Sequence, residues 1–337
     1  MKPRQPDFNQ LLRVLQCQVP DRDVLFEFIL NKDIFAHATG HRVDETDRLN
    51  YKRHVVQAYA VLGYDCATCA VSDMAFPIKQ RTAAASYSLN EISTIHDRAS
   101  FDAYEWPDPK AFSTQVYATL ATEVPQGMKL MPGSPNGVLE NAMNLIGFDN
   151  LCMMLYDDEQ LVGDIFYEIG TRIKELYSIA LTFSVTGLLM LNDDWGFNSQ
   201  TMLSPDMMRK YVFPWYKEYV AMAHAAGRPA VLHSCGNYSQ IIGDMLDIGF
   251  DGRHSYEDKI TPVEDAIPQF AGKMAVLGGI DVDFLCRATP EKIKERARNL
   301  LAMGRQYGGY ALGSGNSIPS YCPTENYLAM ISVIDEA

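Results

Sequence analysis

Three side chains of this sequence have the chemical types that hold a zinc ion: His233 and Cys235, two positions apart, and Cys322, much later in the chain. At an extended strand end, residues two apart point to the same side, so His233 and Cys235 can aim at one point. Zinc prefers thiolate and imidazole ligands, and three protein ligands with an open fourth position are typical of a catalytic site. The alternative is a half-buried cysteine beside a hydrogen-bonded core histidine, and the spacing alone does not decide.

Eight short apolar runs alternate with amphipathic stretches and predict the elements that position these residues. The predicted strands are 24–30, 67–72, 128–131, 188–192, 230–233, 250–253, 274–277 and 310–312. This alternation predicts a single α/β domain over residues 1–337, a (β/α)8 TIM barrel with N-terminal helices at 8–19. A long helical insertion, 137–182, is predicted between strands 3 and 4.

In such a barrel, the C-terminal ends of the strands open onto one mouth, where the chemistry lies. His233 ends the fifth predicted strand, and Cys322 lies in the loop after the eighth. The predicted fold therefore brings these distant residues to the same mouth, which favours the zinc site over the core interpretation.

Four carboxylates are candidate catalytic residues, because an acid with a raised pKa can protonate a leaving group. Asp73 follows strand 2, Asp193 and Asp194 end strand 4, and Glu27 lies within strand 1. Neighbours on a strand point to opposite sides, so we expect one of Asp193 and Asp194 to face the mouth. The structural alternatives are a cap or turn role for Asp194 and, for Glu27, a buried carboxylate bonded to backbone groups or an arginine.

Substrate-binding candidates are aromatic and polar residues that follow the predicted strands. They are Trp195, Tyr256, Asp281, Asn316 and Tyr321. The aromatic members either line a flat apolar pocket for an aromatic ring or form ordinary loop packing, and both interpretations stay open.

Composition disfavours several classes of partner. The net charge of −13 argues against nucleic acid and anionic membranes as partners. The N-terminus lacks the apolar stretch of a signal peptide, and no apolar run is long enough to span a membrane. We therefore expect a cytoplasmic protein with reduced cysteines, and the odd number of cysteines, seven, rules out a full disulfide framework.

Around these residues the sequence resembles the uroporphyrinogen decarboxylase superfamily, and within it the zinc-containing methyltransferases that act with corrinoid proteins. The segments that carry the resemblance are DDWGFNSQTMLSP, HSCGNYSQIIGDMLDIGFD, LGGID and GGYALGSGNSIPSYCPTENYLAM. The HxC and the later cysteine match the metal ligands of the coenzyme M methyltransferases, so the resemblance assigns zinc to His233, Cys235 and Cys322. It also implies a cobalamin (corrinoid) supplied by a separate protein, and a homodimer.

The sequence departs from the decarboxylases themselves at positions that bind their substrate. Those enzymes carry an arginine-rich segment after strand 1, where this chain has EFILNKDIFAHATGHR. Their late LGHG reads LGSG here, with Ser314 in place of the histidine. SDMAFP does resemble their SDILxxP, which places Asp73 at their catalytic aspartate. A protein of charge −13 that lacks the arginine cluster would repel a polycarboxylate substrate.

The sequence therefore predicts a zinc-dependent methyltransferase that moves a methyl group between a small substrate and a corrinoid protein. The substrate is a thiol, held as a thiolate, or a methoxylated aromatic undergoing O-demethylation with its ether oxygen polarised by the metal. The first alternative is a carboxy-lyase of haem biosynthesis, a uroporphyrinogen decarboxylase-type enzyme. The second is a non-catalytic barrel that binds zinc or a corrinoid partner, in which a fourth protein ligand would close the metal site.

Overall fold

The computed structural model describes residues 4–78 and 93–336, and in them helices and strands alternate as in an α/β fold. The described strands are β1 (Cys66–Thr68), β2 (Lys129–Met131), β3 (Leu189–Asn192), β4 (Ala230–His233), β5 (Gly252–His254), β6 (Ala275–Leu277) and β7 (Tyr310–Ala311). The described α-helices are α1 (Phe8–Leu15), α2 (Lys32–Thr39), α3 (Arg48–Val61), α4 (Arg98–Asp102), α5 (Gln115–Leu120), α6 (Val138–Ile146), α7 (Phe148–Asp157), α8 (Glu159–Leu181), α9 (Pro205–Tyr211), α10 (Phe213–Ala225), α11 (Ile242–Ile248), α12 (Val263–Phe270), α13 (Val282–Arg287), α14 (Pro290–Tyr307) and α15 (Thr324–Ser332). Short 3₁₀ helices cover Pro109–Ala111, Ser239–Ile241 and Val333–Asp335.

The strands pair in parallel and in chain order. β1 pairs with β2, and β3 to β7 form a five-stranded sheet. A bridge between Gly133, two residues after β2, and Met190 of β3 places the two strands side by side. A further bridge, between Leu25 and Leu312, places the first predicted strand beside the end of β7. This order brings the C-terminal ends of the strands to one edge of the molecule.

The first predicted strand, 24–30, is not a strand in the described chain: Leu25 forms a single bridge, and Phe28 lies in a bend. Its described contact with β1 is a side-chain hydrogen bond, in which Thr68 Oγ1 donates to the Phe28 carbonyl. The parallel order fits the predicted barrel. In the described chain, however, segment 24–30 and β1 are not joined by a backbone ladder.

Two apolar clusters lie on opposite faces of the strands. The inner cluster contains Phe26, Met190 and Val231, together with the apolar residues of α1. The outer cluster lies between strands and helices and contains Leu25 and Leu191. Since successive side chains of a strand point to opposite faces, the position of a residue along its strand decides which cluster it joins. The same alternation orients the polar residues at the strand ends.

The helices α6, α7 and α8 occupy the described chain between β2 and β3, where the insertion is predicted. Helix α6 follows Gly137, so no side chain at its N-cap can satisfy the N–H groups of its first turn. Those N–H groups therefore need partners from elsewhere in the fold. Of the helices in the described ranges, none is both long and apolar enough to cross a bilayer.

Candidate metal centre

His233 is the last residue of β4 and lies two positions after Val231 of the inner cluster. The register pairs it with Asn192 at the end of β3 and with His254 at the end of β5. Residues paired in this way share one face of a sheet. The ring of Phe28 packs on His233, with the ring centroids 4.5 Å apart. The sheet therefore sets two histidines side by side at its C-terminal edge.

A chain of hydrogen bonds determines which nitrogen of His233 is free. His254 Nε2 lies 3.2 Å from the Ser314 carbonyl oxygen, which can only accept, so this nitrogen carries a proton. Burial lowers the pKa of His254 to about 3 and moves the pKa of His233 well below its usual range, so both rings are neutral. Their Nδ1 atoms are 2.7 Å apart. His233 Nδ1 therefore donates to His254 Nδ1, and the lone pair of His233 Nε2 stays free for a ligand.

The thiol of Cys235 lies beside that lone pair, with Sγ 3.9 Å from His233 Nε2. Ser255 Oγ and Asn316 Nδ2 donate to the sulfur at 3.3 and 3.1 Å. Burial, and after it the negative charge of Asp194, raises the pKa of the Cys235 thiol to about 12. A cation at this position would reverse the balance, because it stabilises the thiolate toward which both donors already point.

Close backbone packing fixes the loop that carries Cys235. Gly236 has a φ of +88°, and a Cβ there would lie 2.0 Å from the Gly196 carbonyl oxygen. The Asn237 N–H donates to the Phe197 carbonyl at 2.7 Å. The loops after β3 and β4 therefore meet backbone to backbone, which only a glycine at 236 permits.

Asp194 completes a group of three side chains that could hold a metal ion. Its Oδ1 accepts the Cys235 N–H at 2.8 Å, and the donor atoms of Asp194, His233 and Cys235 all lie within 4.8 Å of one another. A nitrogen and a sulfur that share one tetrahedral zinc, at ~2.0–2.1 and ~2.3 Å from it, are roughly 3.6 Å apart. The 3.9 Å between His233 Nε2 and Cys235 Sγ is close to that separation. This donor set therefore fits a divalent ion of zinc's softness.

Cys322, the third ligand expected from the sequence, does not join this group. It belongs to the outer apolar cluster, and its Sγ–H points to the Pro323 carbonyl at 3.9 Å. Burial, together with the neighbouring thiol of Cys286, raises the pKa of Cys322 to about 12. The loop before α15 thus turns this side chain toward the helices, and Asp194 takes its place among the three donors.

Asp193 and Trp195, expected in catalysis and substrate binding, are instead parts of the scaffold. Asp193 is fully buried and accepts the N–H groups of Leu139 and Glu140, at 3.0 and 2.9 Å, in the first turn of α6. The buried indole of Trp195 donates to the same carboxylate at 3.0 Å. The alternation of β3, continued past its last residue, is the reason: Asp194 lies with His233 and Cys235, so its neighbour faces the helices.

Glu27, another expected catalytic carboxylate, also faces away from the mouth. Phe26 lies in the inner cluster, so the next side chain points outward. Glu27 Oε1 accepts the Ser314 N–H at 2.7 Å, and its Oε2 lies 2.8 Å from the Ser314 hydroxyl. Burial raises the pKa of Glu27 to about 8. Of the two interpretations, the structure favours the structural carboxylate.

Asp73, expected at the catalytic aspartate of the decarboxylases, lies on the surface. Its side chain is 63% exposed and forms an ion pair with Arg48 of α3. An exposed pair of this kind contributes little free energy. In this structure Asp73 is therefore not part of the donor cavity.

Four predicted substrate-binding residues line a cleft of about 760 Å³ beside the metal donors: Tyr256, Asp281, Asn316 and Tyr321. Asn316 connects the cleft to the site through its hydrogen bond to Cys235. Tyr321 is 76% exposed at the cleft's rim, where a ligand can reach it.

The other two predicted residues of that cleft, Asp281 and Tyr256, contact the scaffold. Asp281 accepts the Phe284 N–H at 3.1 Å and so caps α13. Tyr256 is buried, and its ring packs against Arg253, whose guanidinium carbon lies 4.8 Å from the ring centroid. Their predicted roles in substrate binding have no direct support from these contacts.

A second cavity, of about 360 Å³, lies at the metal donors and contains residues that the sequence interpretation missed. Its lining includes His233 and Asp194, and also Asn192 and Glu140. Burial, and after it the charges of Asp193 and Asp194, raises the pKa of Glu140 to about 8. Asn192 could have been predicted at the site, because it ends its strand in register with His233 on the neighbouring strand. Glu140 sits on a helix inside the long insertion, and no local pattern directs that helix to the mouth.

The profile of the uroporphyrinogen decarboxylase (URO-D) family matches residues 49–337. The chain is 27% identical over 170 residues to methylcobamide:CoM methyltransferase MtaA of Methanosarcina barkeri, a segment covering 50% of this chain and 47% of that protein. It is 26% identical over 139 residues to a methylated-thiol–coenzyme M methyltransferase of Methanosarcina mazei, covering 41% of this chain and 35% of that protein. The matches thus span less than half of the length of these relatives.

A solved structure, a methyltransferase from Methanosarcina mazei, superposes on the chain with a TM-score of 0.72. The alignment covers 97% of this chain and 98% of that chain at 17% sequence identity. At this identity the likeness shows a shared fold, whereas activity has to be argued from the site.

Proposed function

The chain belongs to the uroporphyrinogen decarboxylase (URO-D) family, and from this premise we propose that it transfers a methyl group between a small substrate and the corrinoid of a separate protein. The observation that carries the proposal is the group formed by Asp194, His233 and Cys235, with all donor atoms within 4.8 Å of one another. The similarity to methylcobamide:CoM and methylated-thiol methyltransferases supports it for the matched part of the chain.

The residues of the chain prepare this position for a zinc ion. When bound, zinc would keep a substrate thiol deprotonated at neutral pH. His233 offers a neutral nitrogen because its other nitrogen is committed to His254. Ser255 and Asn316 donate to the sulfur of Cys235 and thereby stabilise its thiolate.

The proposed substrate is a thiol, because the relatives named above act on coenzyme M and methylated thiols. In the direction of thiol methylation a carbon–sulfur bond forms and the cobalt–carbon bond breaks. Both electrons of the broken bond stay on cobalt, and the thiol proton passes to solvent. A methoxylated aromatic is the alternative substrate; it would donate its methyl group to the corrinoid and needs a proton on its leaving oxygen. Glu140 is a carboxyl in the cavity that could deliver that proton.

Two residues compete for the role of third protein ligand. Asp194 already lies with His233 and Cys235. Cys322 is the residue that the family resemblance assigns, and it would have to turn out of the outer cluster to reach them. The metal contents of Asp194→Asn and Cys322→Ser distinguish the two, because only loss of a true ligand releases the ion.

The decarboxylase alternative has less support from the site. It needs Asp73 in the mouth, and that carboxylate is exposed and paired with Arg48. The non-catalytic alternative needs a fourth protein ligand, whereas the group in the described chain has three members. We therefore retain methyl transfer as the proposal.

The proposal includes the architecture that places the site. We take residues 1–337 as one domain and its fold as a closed (β/α)8 barrel, with chain 24–30 as the first strand. The parallel order of β1 to β7 and the TM-score of 0.72 to the methyltransferase from Methanosarcina mazei support this view.

Metal content tests the centre of the proposal. Wild-type protein purified without added metal is expected to hold about one zinc per chain, measured by mass spectrometry of the digested protein. His233→Ala and Cys235→Ser should lose it. Cys152→Ser on α7 is the matched control, since it removes a thiol far from the donors in sequence and should keep the metal.

Activity is tested anaerobically with methylcobalamin and a small thiol, by following the appearance of cob(I)alamin. Zinc-loaded wild type should turn over, and Cys235→Ser should be at least about 100-fold slower because a metal ligand is gone. A wild-type protein as metal-free as Cys235→Ser would end the proposal. Corrinoid-independent decarboxylation of uroporphyrinogen would replace it by the decarboxylase alternative.

A further inference from the structure

Arg253 lies in β5 directly before His254, and only 1% of the residue is exposed. Its register partners on the neighbouring strands are Leu232 and Val276, which belong to the outer apolar cluster. The arginine side chain therefore faces the outer layer, on the opposite face of the strand from His254. A charged side chain is rarely buried without a partner of opposite charge, so this arginine calls for an explanation.

The partners of the Arg253 guanidinium are neutral groups. Its Nη1 donates to the Ser255 carbonyl oxygen at 2.7 Å, and its Nη2 donates to the Ser234 carbonyl oxygen at 2.9 Å. The guanidinium carbon lies 3.8 Å from the centroid of the Tyr238 ring and 4.8 Å from that of the Tyr256 ring. Nε has no hydrogen-bond partner in the described chain. Two charge-assisted hydrogen bonds and two aromatic faces thus offset the cost of burying the charge.

The Ser234 carbonyl belongs to the peptide unit that leads into Cys235. The oxygen of this unit accepts from Arg253, and its N–H, that of Cys235, donates to Asp194 Oδ1 at 2.8 Å. The unit is therefore held at both ends, by a cation on its oxygen and by a carboxylate on its hydrogen. Because hydrogen bonds in a chain polarise one another, the bond from Arg253 strengthens the one to Asp194. Arg253 thereby orients the backbone that enters Cys235 and, through it, the carboxylate.

The Ser255 carbonyl belongs to the turn that follows β5. Ser255 has a φ of +90°, in the left-handed region that residues with a side chain seldom occupy. Its hydroxyl donates to Cys235 Sγ at 3.3 Å. Such a backbone conformation persists only where the surroundings hold it, and the hydrogen bond from Arg253 to this carbonyl is one contact that does so. Without it, the turn is free to relax and to carry the hydroxyl away from the sulfur.

We propose that Arg253 is a positioning residue of the metal centre, which holds the chain on both sides of the thiol so that Asp194 and Cys235 converge on one ion. It acts through the backbone of Ser234 and Ser255, from the face of the strand opposite to the ion. The inference rests on the proposed function, because it takes the group of three donors to hold zinc. It deepens that function by identifying what directs the thiol and the carboxylate to the same point.

Two substitutions at position 253 test the inference. Arg253→Met removes the charge and both donors with little change in length, whereas Arg253→Lys keeps the charge but loses the planar fork that spans two carbonyls. Zinc affinity is measured by competition with a chromophoric chelator. We expect it to fall about 10- to 100-fold in Arg253→Met, as for other groups that orient metal ligands. The affinity of Arg253→Lys should lie between those of Arg253→Met and the wild type.

Cobalt(II) in place of zinc gives a readout that a loss of stability alone does not change. The charge-transfer absorption from a thiolate to cobalt depends on where the Cys235 sulfur lies relative to the ion. At saturating cobalt(II), we expect this absorption to be weaker in Arg253→Met than in the wild type. Arg253→Lys should restore part of it.

Arg296→Met is the matched control. The Arg296 side chain is also largely buried, 14% exposed, but it forms ion pairs with Asp258 and Glu264, which are not among the three donors. Its replacement should lower the free energy of unfolding of the metal-free protein, measured in urea, and leave zinc affinity and the cobalt spectrum at wild-type values. Equal losses of zinc affinity in Arg253→Met and Arg296→Met would reduce the role of Arg253 to general stability and overturn the inference.

The remaining outcomes separate the inference from the proposed function. A folded Arg253→Met protein with wild-type zinc affinity and cobalt spectrum overturns the inference and leaves the methyltransferase proposal in place. If Arg253→Met does not fold, Arg253→Lys decides: wild-type affinity overturns the inference, and reduced affinity with a weaker cobalt absorption supports it. A wild-type protein that binds neither zinc nor cobalt overturns the proposed function and the inference with it.

Discussion

Asp193 and Asp194 are neighbours in sequence with the same side chain, yet they serve different regions of the molecule. Asp193 faces the outer layer, where the N–H groups of Leu139 and Glu140 and the indole of Trp195 donate to it. Asp194 lies with His233 and Cys235, in the group that could hold a metal ion. A carboxylate whose oxygens are all engaged by the scaffold has no capacity left for a ligand, so hydrogen-bond satisfaction separates the two roles.

The same distinction separates the two polar networks that meet at Ser314. On the outer side, Glu27 takes the Ser314 N–H and lies against its hydroxyl. On the inner side, the Ser314 carbonyl accepts from His254, and the chain of hydrogen bonds ends at the free lone pair of His233. The outer network closes on itself, whereas the inner one leaves one atom free and therefore able to bind a metal.

Replacing each aspartate in turn is the most direct test of the division between a scaffold role and a site role. Asp193→Ala strands the N–H groups of Leu139 and Glu140 and the indole N–H of Trp195, so we expect a loss of roughly 3 kcal/mol or more in the free energy of unfolding. Asp194→Ala should cost less than about 1 kcal/mol in metal-free protein. Urea unfolding followed by circular dichroism measures both.

The two variants should differ in the opposite sense in metal binding. Asp194→Ala is expected to weaken zinc binding if this carboxylate is the third ligand. Asp193→Asn keeps one carbonyl oxygen that can accept from the α6 N–H groups, and it should retain the zinc content of the wild type. Equal losses of stability in Asp193→Ala and Asp194→Ala would contradict the division into scaffold and site.

The second prediction concerns the inner network. His254→Leu removes the acceptor that holds the proton on His233 Nδ1, so the imidazole is free to rotate and to change tautomer. We expect zinc affinity to fall about 10- to 100-fold, as for other partners of metal-binding histidines. Competition with a chromophoric chelator gives the affinity.

A conservative variant sharpens this test. His254→Gln keeps a carbonyl oxygen that can accept from His233 Nδ1 and should recover part of the lost affinity. Zinc affinity as low in His254→Gln as in His254→Leu would show that the ring packs against its neighbours without orienting the ligand. Unaltered affinity in both variants would remove His254 from the site.

Much of this fold could be predicted from periodicity and end signals. The strands at 188–192, 230–233 and 274–277 lie within a residue of β3, β4 and β6, because each is an apolar run that ends in a turn. The segment 24–30 was predicted as a strand, but in the described chain its contacts with neighbouring strands are one bridge to Leu312 and a side-chain hydrogen bond from β1. Pairing between distant segments leaves no mark in a local pattern.

The site divides in a similar manner. His233 and Cys235 were predictable because spacing on one strand fixes their common direction. The side-chain position of Cys322, in the outer cluster, could not be predicted, because a loop, unlike a strand, gives no direction to its side chains. Glu140 was missed because its approach depends on Asp193 capping α6, a contact between residues more than fifty positions apart. Glu27 was ambiguous until the inner position of Phe26 decided which way it points.

The smallest expected effect concerns the outer network and its dependence on pH. The Ser314 hydroxyl also donates to the Asn316 carbonyl, so a protonated Glu27 can donate to that hydroxyl while its other oxygen accepts the Ser314 N–H. Burial raises the pKa of Glu27 from 4.5 to about 8. The folded state therefore holds a proton that the unfolded state releases, and the stability that Glu27 contributes is complete below pH ~4.5 and is lost as the pH rises through ~8.

Glu27→Gln should remove this pH dependence, because the amide keeps one donor and one acceptor for Ser314 and cannot ionise. The difference in the free energy of unfolding between the variant and the wild type should shift in favour of the variant by roughly 1 kcal/mol per pH unit across this range. Urea unfolding at pH 5, 6, 7 and 8 measures it, with the surface change Asp283→Asn as control. A difference that stays constant with pH would mean that Glu27 is ionised in the folded protein. Loss of zinc in Glu27→Gln would mean that the network around Glu27 also supports the metal site, which would contradict the division between the outer and the inner network.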